Sequence, residues 1–246
     1  MTEATFRFSL DLANKIWQVV LCQRTGNMIL EVRDEANQSI HYHLVNLDGS
    51  VEEDGFDIQK SDLWTNSLIY RHPYFLLEKY EDPNDPSAKS ILIYHVVNRS
   101  LEAEIPQFQY DSITGKELVG VDPKDTSVRK SYLLEQLDSS ENIILRSPVY
   151  YKAGSESCEL VEQFLETEPS GLGCEYYEEE DFIIICHYVR LGTKFDRWIT
   201  VIKEGEIYYA SKIDEQLEGF ASGGFFILNN VLVFIENSKK INGIEL

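Results

Sequence analysis

Seven aspartates are the side chains of this sequence with the clearest potential for chemistry. They lie in turn-rich segments between short apolar runs: Asp34, Asp57, Asp62, Asp82, Asp85, Asp122 and Asp125. Two carboxylates that flank a glycosidic bond can hydrolyse it, one acting as general acid and the other as nucleophile or base. Carboxylates in one cluster can also bind a sugar or a divalent cation. The competing interpretation, solvated loop carboxylates in an acidic chain, is the favoured one because charged side chains are mostly exposed.

Histidine and cysteine give weaker signals for a metal or redox site. His41 and His43 share one face of a strand, but no third ligand is near them in sequence, so a structural or surface pair is favoured. The cysteines contain no Cys-x-x-Cys pair, which argues against a zinc ribbon or a redox motif: Cys22, Cys158, Cys174 and Cys186. We predict reduced, mostly buried thiols, no metal and no cofactor.

The charge balance narrows the classes of partner. The 246 residues include 22 Lys and Arg against 42 Asp and Glu, a net charge of −20. This excess disfavours nucleic acid and anionic membrane surfaces, which both attract basic proteins. The first residues lack the basic start and apolar core of a secretory signal. We therefore expect a cytoplasmic, monomeric protein whose partner is a protein of unknown identity.

The pattern of apolar residues predicts an all-β fold. Short runs rich in Val, Ile, Tyr and Phe recur every 8 to 12 residues between turn residues, as in 28–32, 74–78, 90–94 and 182–186. Lys15-Ile16-Trp17 recurs as Asp62-Leu63-Trp64, and neighbouring landmarks recur at a similar shift, so the repeat is about 45–50 residues long. A repeat of this length holds four strands, the size of one β-propeller blade.

We predict one domain, 1–246, with five blades. The predicted strands of the first two blades are 16–24, 28–35, 39–47 and 50–57, then 63–71, 74–82, 89–97 and 100–107. The remaining blades cover 108–147, 172–213 and 220–246. Phe6–Leu12 alternates apolar and polar residues and is predicted to complete the last blade beside Ile241–Leu246. In this architecture the seven aspartates share one rim, since loops between blades and between second and third strands open on one face.

One segment has helical rather than strand periodicity. In Glu156–Glu168 the apolar residues recur at a period near 3.6, Ser155 is a suitable N-cap, and Pro169 ends the run. The sequence predicts a short helix near 155–167, inserted between the third and fourth blades. A role in covering part of the fold is favoured over a role in partner binding.

Two resemblances accompany this pattern. The repeat resembles the β-propeller superfamily, although the Trp-Asp pairs of WD repeats and the Asp box of sialidases are missing. The stretches 174–177, 182–188 and 224–228 resemble an uncharacterised bacterial family, a domain of unknown function. This resemblance implies a cytoplasmic propeller-like protein and brings no known activity. Since no catalytic motif occurs, we expect a non-catalytic protein-interaction scaffold; the alternative is a carbohydrate-binding or glycoside-hydrolase module at the acidic rim.

Overall fold

The computed structural model describes residues 4–51, 55–137, 143–179 and 181–246, and these form an all-β chain with one helix, as predicted. The strands in chain order are β1 (Phe6–Asp11), β2 (Lys15–Leu21), β3 (Met28–Asp34), β4 (Ser39–Val45), β5 (Thr65–Arg71), β6 (Tyr74–Tyr80), β7 (Lys89–His95), β8 (Ser100–Pro106), β9 (Gln109–Thr114), β10 (Glu117–Val121), β11 (Arg129–Leu133), β12 (Leu145–Arg146), β13 (Val149–Tyr151), β14 (Cys174–Glu179), β15 (Phe182–Leu191), β16 (Lys194–Lys203), β17 (Glu206–Leu217), β18 (Phe225–Leu228), β19 (Val231–Glu236) and β20 (Lys240–Glu245). The helix is α1 (Glu156–Phe164).

The chain divides into two units, each with its own sheets. The internal unit, Asn14–Ile143, contains the sheets β2-β3-β4, β5-β6-β7-β8 and β9-β10-β11. The terminal unit, Met1–Ala13 with Ile144–Leu246, contains the sheets β13-β14-β15-β16-β17 and β1-β20-β19-β18-β12. Pairing within all these sheets is antiparallel. The predicted grouping of all residues into one domain stays a prediction.

In the internal unit, the sheet β5–β8 is buried on both faces. Phe75 and Leu77 pack with Ile29 of the sheet β2–β4, whereas Leu76 packs with Leu118 of the sheet β9–β11. Successive side chains of a strand point to opposite faces, so a strand buried on both faces is apolar at nearly every position. This explains why the middle strands of this sheet are uninterrupted apolar runs.

In the terminal unit, the sheet β13–β17 also has two covered faces. Ile184 and Ile199 pack with Phe234 of the neighbouring sheet, and Ile185 on the opposite face packs with Val161 of α1. The helix therefore covers an apolar sheet face. The Ser155 side chain accepts a hydrogen bond from the Cys158 backbone N–H at 3.3 Å, which confirms the predicted N-cap.

The two ends of the described chain pair as predicted. Strand β1 lies antiparallel to β20, with Leu10 opposite Ile241 and Phe6 opposite Ile244. Phe8 fits against Gly243, where a Cβ atom would come within 2.4 Å of the Phe8 ring. The absence of a side chain at Gly243 thus lets the aromatic ring lie on the strand backbone.

Three element positions differ from the prediction. The strand expected at 50–57 is reduced to bridges from Val51 to Val45 and from Phe56 to Tyr42, because Gly55 takes φ +64 and interrupts the extended backbone; residues 52–54 lie outside the described ranges. Strand β12, expected in the third blade, pairs with β18 in the terminal unit. Strand β13 precedes α1 and pairs with β14, so α1 is an insertion within one sheet. Strands of two or three residues carry too little periodicity to be recognised in sequence.

Within the described ranges, no helix has the length and apolar character needed to cross a membrane.

Candidate functional site

The seven aspartates all lie in the internal unit, in the kinds of connection that the sequence predicted. Asp34 is the last residue of β3, where the chain turns towards β4. The others occupy the β4–β5 connection (Asp57 and Asp62), the β6–β7 loop (Asp82 and Asp85) and the β10–β11 loop (Asp122 and Asp125). The charge of Lys124 contributes to lowering the pKa of Asp85, which links the last two loops electrostatically. These loops join the second and third strands of neighbouring sheets.

Most of these carboxylates are bound to their own turns. Asp34 accepts hydrogen bonds from the backbone N–H groups of Ala36 at 3.0 Å and Asn37 at 3.1 Å. Asp62 accepts one from the N–H of Trp64 at 2.9 Å. Such side-chain-to-backbone bonds stabilise turns, so they give these aspartates a structural role.

The β6–β7 and β10–β11 loops are two copies of one structure. Their sequences, 82–87 and 122–127, share the pattern Asp-Pro-x-Asp-x-Ser. In each copy the first carboxylate accepts a hydrogen bond from the N–H two residues further on, at 2.9 Å. The second accepts from the serine N–H, at 2.9 or 3.1 Å, and from the serine hydroxyl, at 2.6 Å. The sequence analysis did not identify this duplication, which a search at a shift of 40 residues would have found.

The pKa shifts of three of these aspartates argue against a general-acid role for them. Hydrogen bonds lower the pKa of Asp34, chiefly from Asn37, and of Asp85, chiefly from Ser87. A hydrogen bond from Lys130 does the same for Asp122. A glycosidase needs one carboxyl group whose pKa is raised, so that it stays protonated near neutral pH. These three carboxylates have the opposite shift.

Within the ranges that the structure describes, the histidines belong to no group of metal ligands. The His41 Nδ1 atom is 2.6 Å from Asp57, and its Nε2 atom is 3.2 Å from the Ser39 hydroxyl. His43 is buried. Among the residues that the structure describes, no group of three or more His, Cys, Asp or Glu side chains is arranged to hold a metal ion.

Two large aromatic side chains are exposed in the same unit and are linked by one arginine. Trp17 is 60% exposed and Trp64 is 54% exposed. The Arg33 guanidinium carbon lies 4.4 Å from the centre of the Trp17 ring. The same guanidinium donates to the Thr65 carbonyl at 3.1 Å and to the Leu63 carbonyl at 3.5 Å, the two carbonyls adjacent to Trp64 in sequence.

A buried carboxylate fixes this arginine. Glu31 is fully buried and accepts from Arg33 Nε at 2.7 Å. It also accepts from the Ser67 hydroxyl at 2.5 Å, so it joins β3 to β5. Because Arg33 has its charge partner and its backbone acceptors in place, its position on Trp17 is preorganised. We call Trp17, Arg33, Trp64 and Asn66 the tryptophan surface.

Two clefts flank Trp64. The first, of about 290 Å³, is lined by Leu63, Trp64, Asn66, Tyr80, Pro83 and Pro86. The second, of about 430 Å³, is lined by Gln38, Asp62, Leu63 and Trp64. One cleft is therefore mainly aromatic and proline-rich, whereas the other contains a carboxylate and an amide.

The terminal unit contains a buried polar cluster whose groups are paired. Glu175 accepts from the N–H groups of Gly223 at 2.9 Å and Gly224 at 2.8 Å, one bond to each carboxylate oxygen. Arg197 pairs with Asp214 and donates to the Ala221 carbonyl at 3.0 Å. The cluster holds the segment 221–224 in place. Burial raises the pKa of the neighbouring Cys186 thiol far above its usual value, which makes it a poor nucleophile.

The four cysteines are unbridged in the structure, and all four are buried as predicted. Two of them are neighbours: Cys158 of α1 and Cys174 of β14 have sulfur atoms 4.0 Å apart. The outer side of α1 exposes Leu160 and Phe164 beside a groove of about 290 Å³.

The sequence analysis missed the residues that organise the tryptophan surface. Arg33 and Glu31 act between sheets, and no spacing rule connects them to Trp17 or Ser67. Comparison with known proteins adds no candidate function, because no family model and no curated protein matches the chain.

Proposed function

We propose that this chain is a non-catalytic protein-interaction module and that the tryptophan surface is where a partner protein binds. The observation that carries the proposal is the contact of Arg33 with both Trp17 and the backbone around Trp64. Exposed tryptophans on a prearranged surface are typical of binding hot spots, since little side-chain entropy is lost when they are covered. Burying the exposed part of one Trp stabilises a complex by about 2–3 kcal/mol.

A five-bladed β-propeller is the architecture that we propose for this module. Three observations support it: each described sheet is antiparallel, consecutive sheets within a unit pack face to face, and the chain ends pair as β1 with β20. The duplicated Asp-Pro-x-Asp-x-Ser loop, at the same point of two neighbouring sheets, further supports repeated blades. The resemblance to the propeller superfamily and to an uncharacterised bacterial family is consistent with this proposal. An experimental structure with five sheets around one axis would establish it, and any other arrangement would refute it.

The acidic rim favours binding over hydrolysis. Most of its carboxylates accept hydrogen bonds from their own turns, Asp57 pairs with His41, and the pKa shifts of Asp34, Asp85 and Asp122 are downward. The rim therefore contributes negative charge beside exposed aromatic rings. This combination suits a partner with a basic surface, because charge complementarity raises association rates and specificity.

Affinity capture with matched variants tests the proposal. The baits are the wild-type protein, the double variant Trp17→Ala/Trp64→Ala, and a control, Leu191→Ala/Ile207→Ala, which removes exposed apolar side chains from the terminal unit. We expect the same proteins to be enriched by the wild type and the control and lost by the tryptophan variant. If no protein is enriched, or if all three baits capture the same set, the proposed function is wrong.

A further inference from the structure

The two clefts beside Trp64 identify the chemistry of the partner. We propose that the cleft between Trp64 and Tyr80 binds an extended, proline-containing segment of the partner protein, and that the cleft at Asp62 takes a Lys or Arg side chain of the same segment. This inference rests on the proposed protein-binding function and specifies its ligand.

The first cleft has the lining that a polyproline segment requires. Trp64 and Tyr80 supply flat aromatic faces, and Leu63 and two prolines complete an otherwise apolar wall. A polyproline II helix has no internal hydrogen bonds and little flexibility, so it fits aromatic grooves at low entropic cost and offers its carbonyls to nearby donors. Asn66, which is exposed at the side of the cleft, is suited to bind such a carbonyl.

The proline wall is held rigid by its loop. Pro83 and Pro86 belong to the first Asp-Pro-x-Asp-x-Ser loop, whose two carboxylates each accept a hydrogen bond from a backbone N–H of the loop at 2.9 Å. In the second copy of the loop, Thr126 stands at the position of Pro86. The second proline thus occurs in the copy that lines the cleft. A rigid wall favours binding, because little conformational entropy is lost when the partner associates with it.

The second cleft supplies negative charge for a basic side chain of the partner. It shares Leu63 and Trp64 with the first cleft, so the two are adjacent. The Asp62 side chain is 47% exposed, and Lys79 Nζ is 4.0 Å from its Oδ2 atom, which offsets part of its charge. Asp82 and Asp85, in the loop that forms the wall of the first cleft, add negative charge. A guanidinium or ammonium group next to Trp64 would gain both the carboxylate and the aromatic face.

A sugar suits this region less well than a peptide. A sugar ring needs many polar partners for its hydroxyl groups, but the first cleft is walled by Leu63, Tyr80 and prolines. The Asp62 Oδ1 atom already accepts from the Trp64 N–H. An oligosaccharide is therefore the competing ligand in the test below.

Fluorescence anisotropy with the full chain tests the inference. The probe is a short labelled peptide with a Pro-x-x-Pro core and an Arg at either end, in two versions because polyproline segments can bind in both directions. The control peptides replace the prolines with Ala or the Arg with Gln. The protein variants are Trp64→Ala, Asp62→Asn and, as the matched control, Ile207→Ala, which removes a similarly exposed apolar side chain from the terminal unit, outside the tryptophan surface.

We expect the proline peptide to bind and the Ala peptide to bind at least about tenfold more weakly. Trp64→Ala should weaken binding by about tenfold or more, whereas Ile207→Ala should change it less than about twofold. Asp62→Asn, which keeps an oxygen to accept from Trp64, should weaken the Arg peptide several-fold and leave the Gln peptide unchanged. Circular dichroism of each variant checks that it is folded.

Three results would overturn the inference: neither peptide direction binds at millimolar concentration, Trp64→Ala binds like the wild type, or only a panel of oligosaccharides binds at Trp64. The proposed function is tested separately, by affinity capture. If affinity capture depends on the tryptophans while no proline peptide binds, protein binding stands and the ligand assignment is wrong. If affinity capture also fails, both are wrong.

Discussion

Glu31 and Ser67 connect two sheets of the internal unit, because the Glu31 carboxylate accepts from both the N–H group and the hydroxyl group of Ser67, at 3.2 and 2.5 Å. The same carboxylate is the charge partner of Arg33. The buried Glu31 side chain thus has two roles: it holds two sheets together, and it positions Arg33 in the tryptophan surface.

Glu31→Gln is expected to lower the free energy of unfolding by about 1–3 kcal/mol, since it removes a charged acceptor from a buried site and leaves Arg33 without its ion pair. Urea denaturation measures the change. The control is Glu117→Gln on β10, an exposed position, where the change should stay within about 0.5 kcal/mol. Equal midpoints for the two variants would show that the Glu31 contacts contribute nothing to stability.

Gly224 lies against the buried polar cluster of the terminal unit. A Cβ atom at this position would come 2.5 Å from both Cys186 Sγ and Glu175 Oε2, whereas a Cβ at Gly219 meets no atom within 4 Å. We expect Gly224→Ala to destabilise the fold by about 1–3 kcal/mol through overpacking, and Gly219→Ala to be close to neutral. Thermal unfolding of the two variants side by side checks this. A neutral Gly224→Ala would mean that the segment 221–224 moves freely.

These two sites show which parts of the structure were predictable from sequence. The helix, its Ser155 cap and the pairing of β1 with β20 follow from local periodicity, capping chemistry and the need to cover a strand edge. Glu31 and Glu175 gave no such signal. Both are buried acids inside strands. Their hydrogen bonds depend on donors that are distant in sequence, Ser67 of β5 for Glu31 and two glycines of the β17–β18 connection for Glu175, 36 to 49 residues away.

The candidate site was predictable only in part. The positions of the seven aspartates in their connections agree with the predicted loops, because turn residues mark connections in sequence. The hydrogen bonds between these aspartates and the backbone of their own turns are those expected of Asx turns. The two clefts at Trp64, by contrast, depend on how the loop 82–88 folds back beside β5. Which loop lies beside which strand is known only from the three-dimensional structure.

The thiols of Cys158 and Cys174 should react slowly in the folded protein. Burial raises the pKa of both, and that of Cys174 to about 12. At pH 8 the thiolate of Cys174 is then roughly a thousandfold rarer than that of an ordinary cysteine, and the thiolate is the reactive form. We expect Ellman's reagent to label the native protein slowly and to titrate four thiols after unfolding in urea.

The control for thiol reactivity is Thr126→Cys, which places a cysteine at an exposed position of the second loop. This added thiol should react rapidly in the native protein, whereas the four buried thiols should react only after the protein is unfolded. Rapid labelling of the wild-type protein would contradict the buried environment of this pair.

His187 should make the stability of the fold depend on pH. Its ring is buried on β15, and its Nδ1 atom has no hydrogen-bond partner among the described residues. Desolvation lowers its pKa from 6.5 to about 4. Between these two values the unfolded chain binds a proton that the folded chain does not, so the free energy of unfolding rises with pH in this window.

The contribution of His187 is therefore complete above about pH 6.5 and is lost as the pH falls towards 4. From pH 7 to pH 5 the loss should be about 2 kcal/mol. Burial also lowers the pKa of His72, so His72 changes the stability in the same direction. Since His72 is present in both proteins compared, its contribution cancels. The variant His187→Phe keeps a ring of similar shape and removes the titrating group.

Urea denaturation of the wild type and His187→Phe at pH 7, 6 and 5 isolates this residue, because all other titrating groups cancel in the difference. We expect the difference in unfolding free energy to shift by about 2 kcal/mol in favour of the variant between pH 7 and pH 5. A difference that stays constant with pH would show that the ring takes up a proton in the folded protein as easily as in water. The buried position of His187 on β15 would then have to be revised.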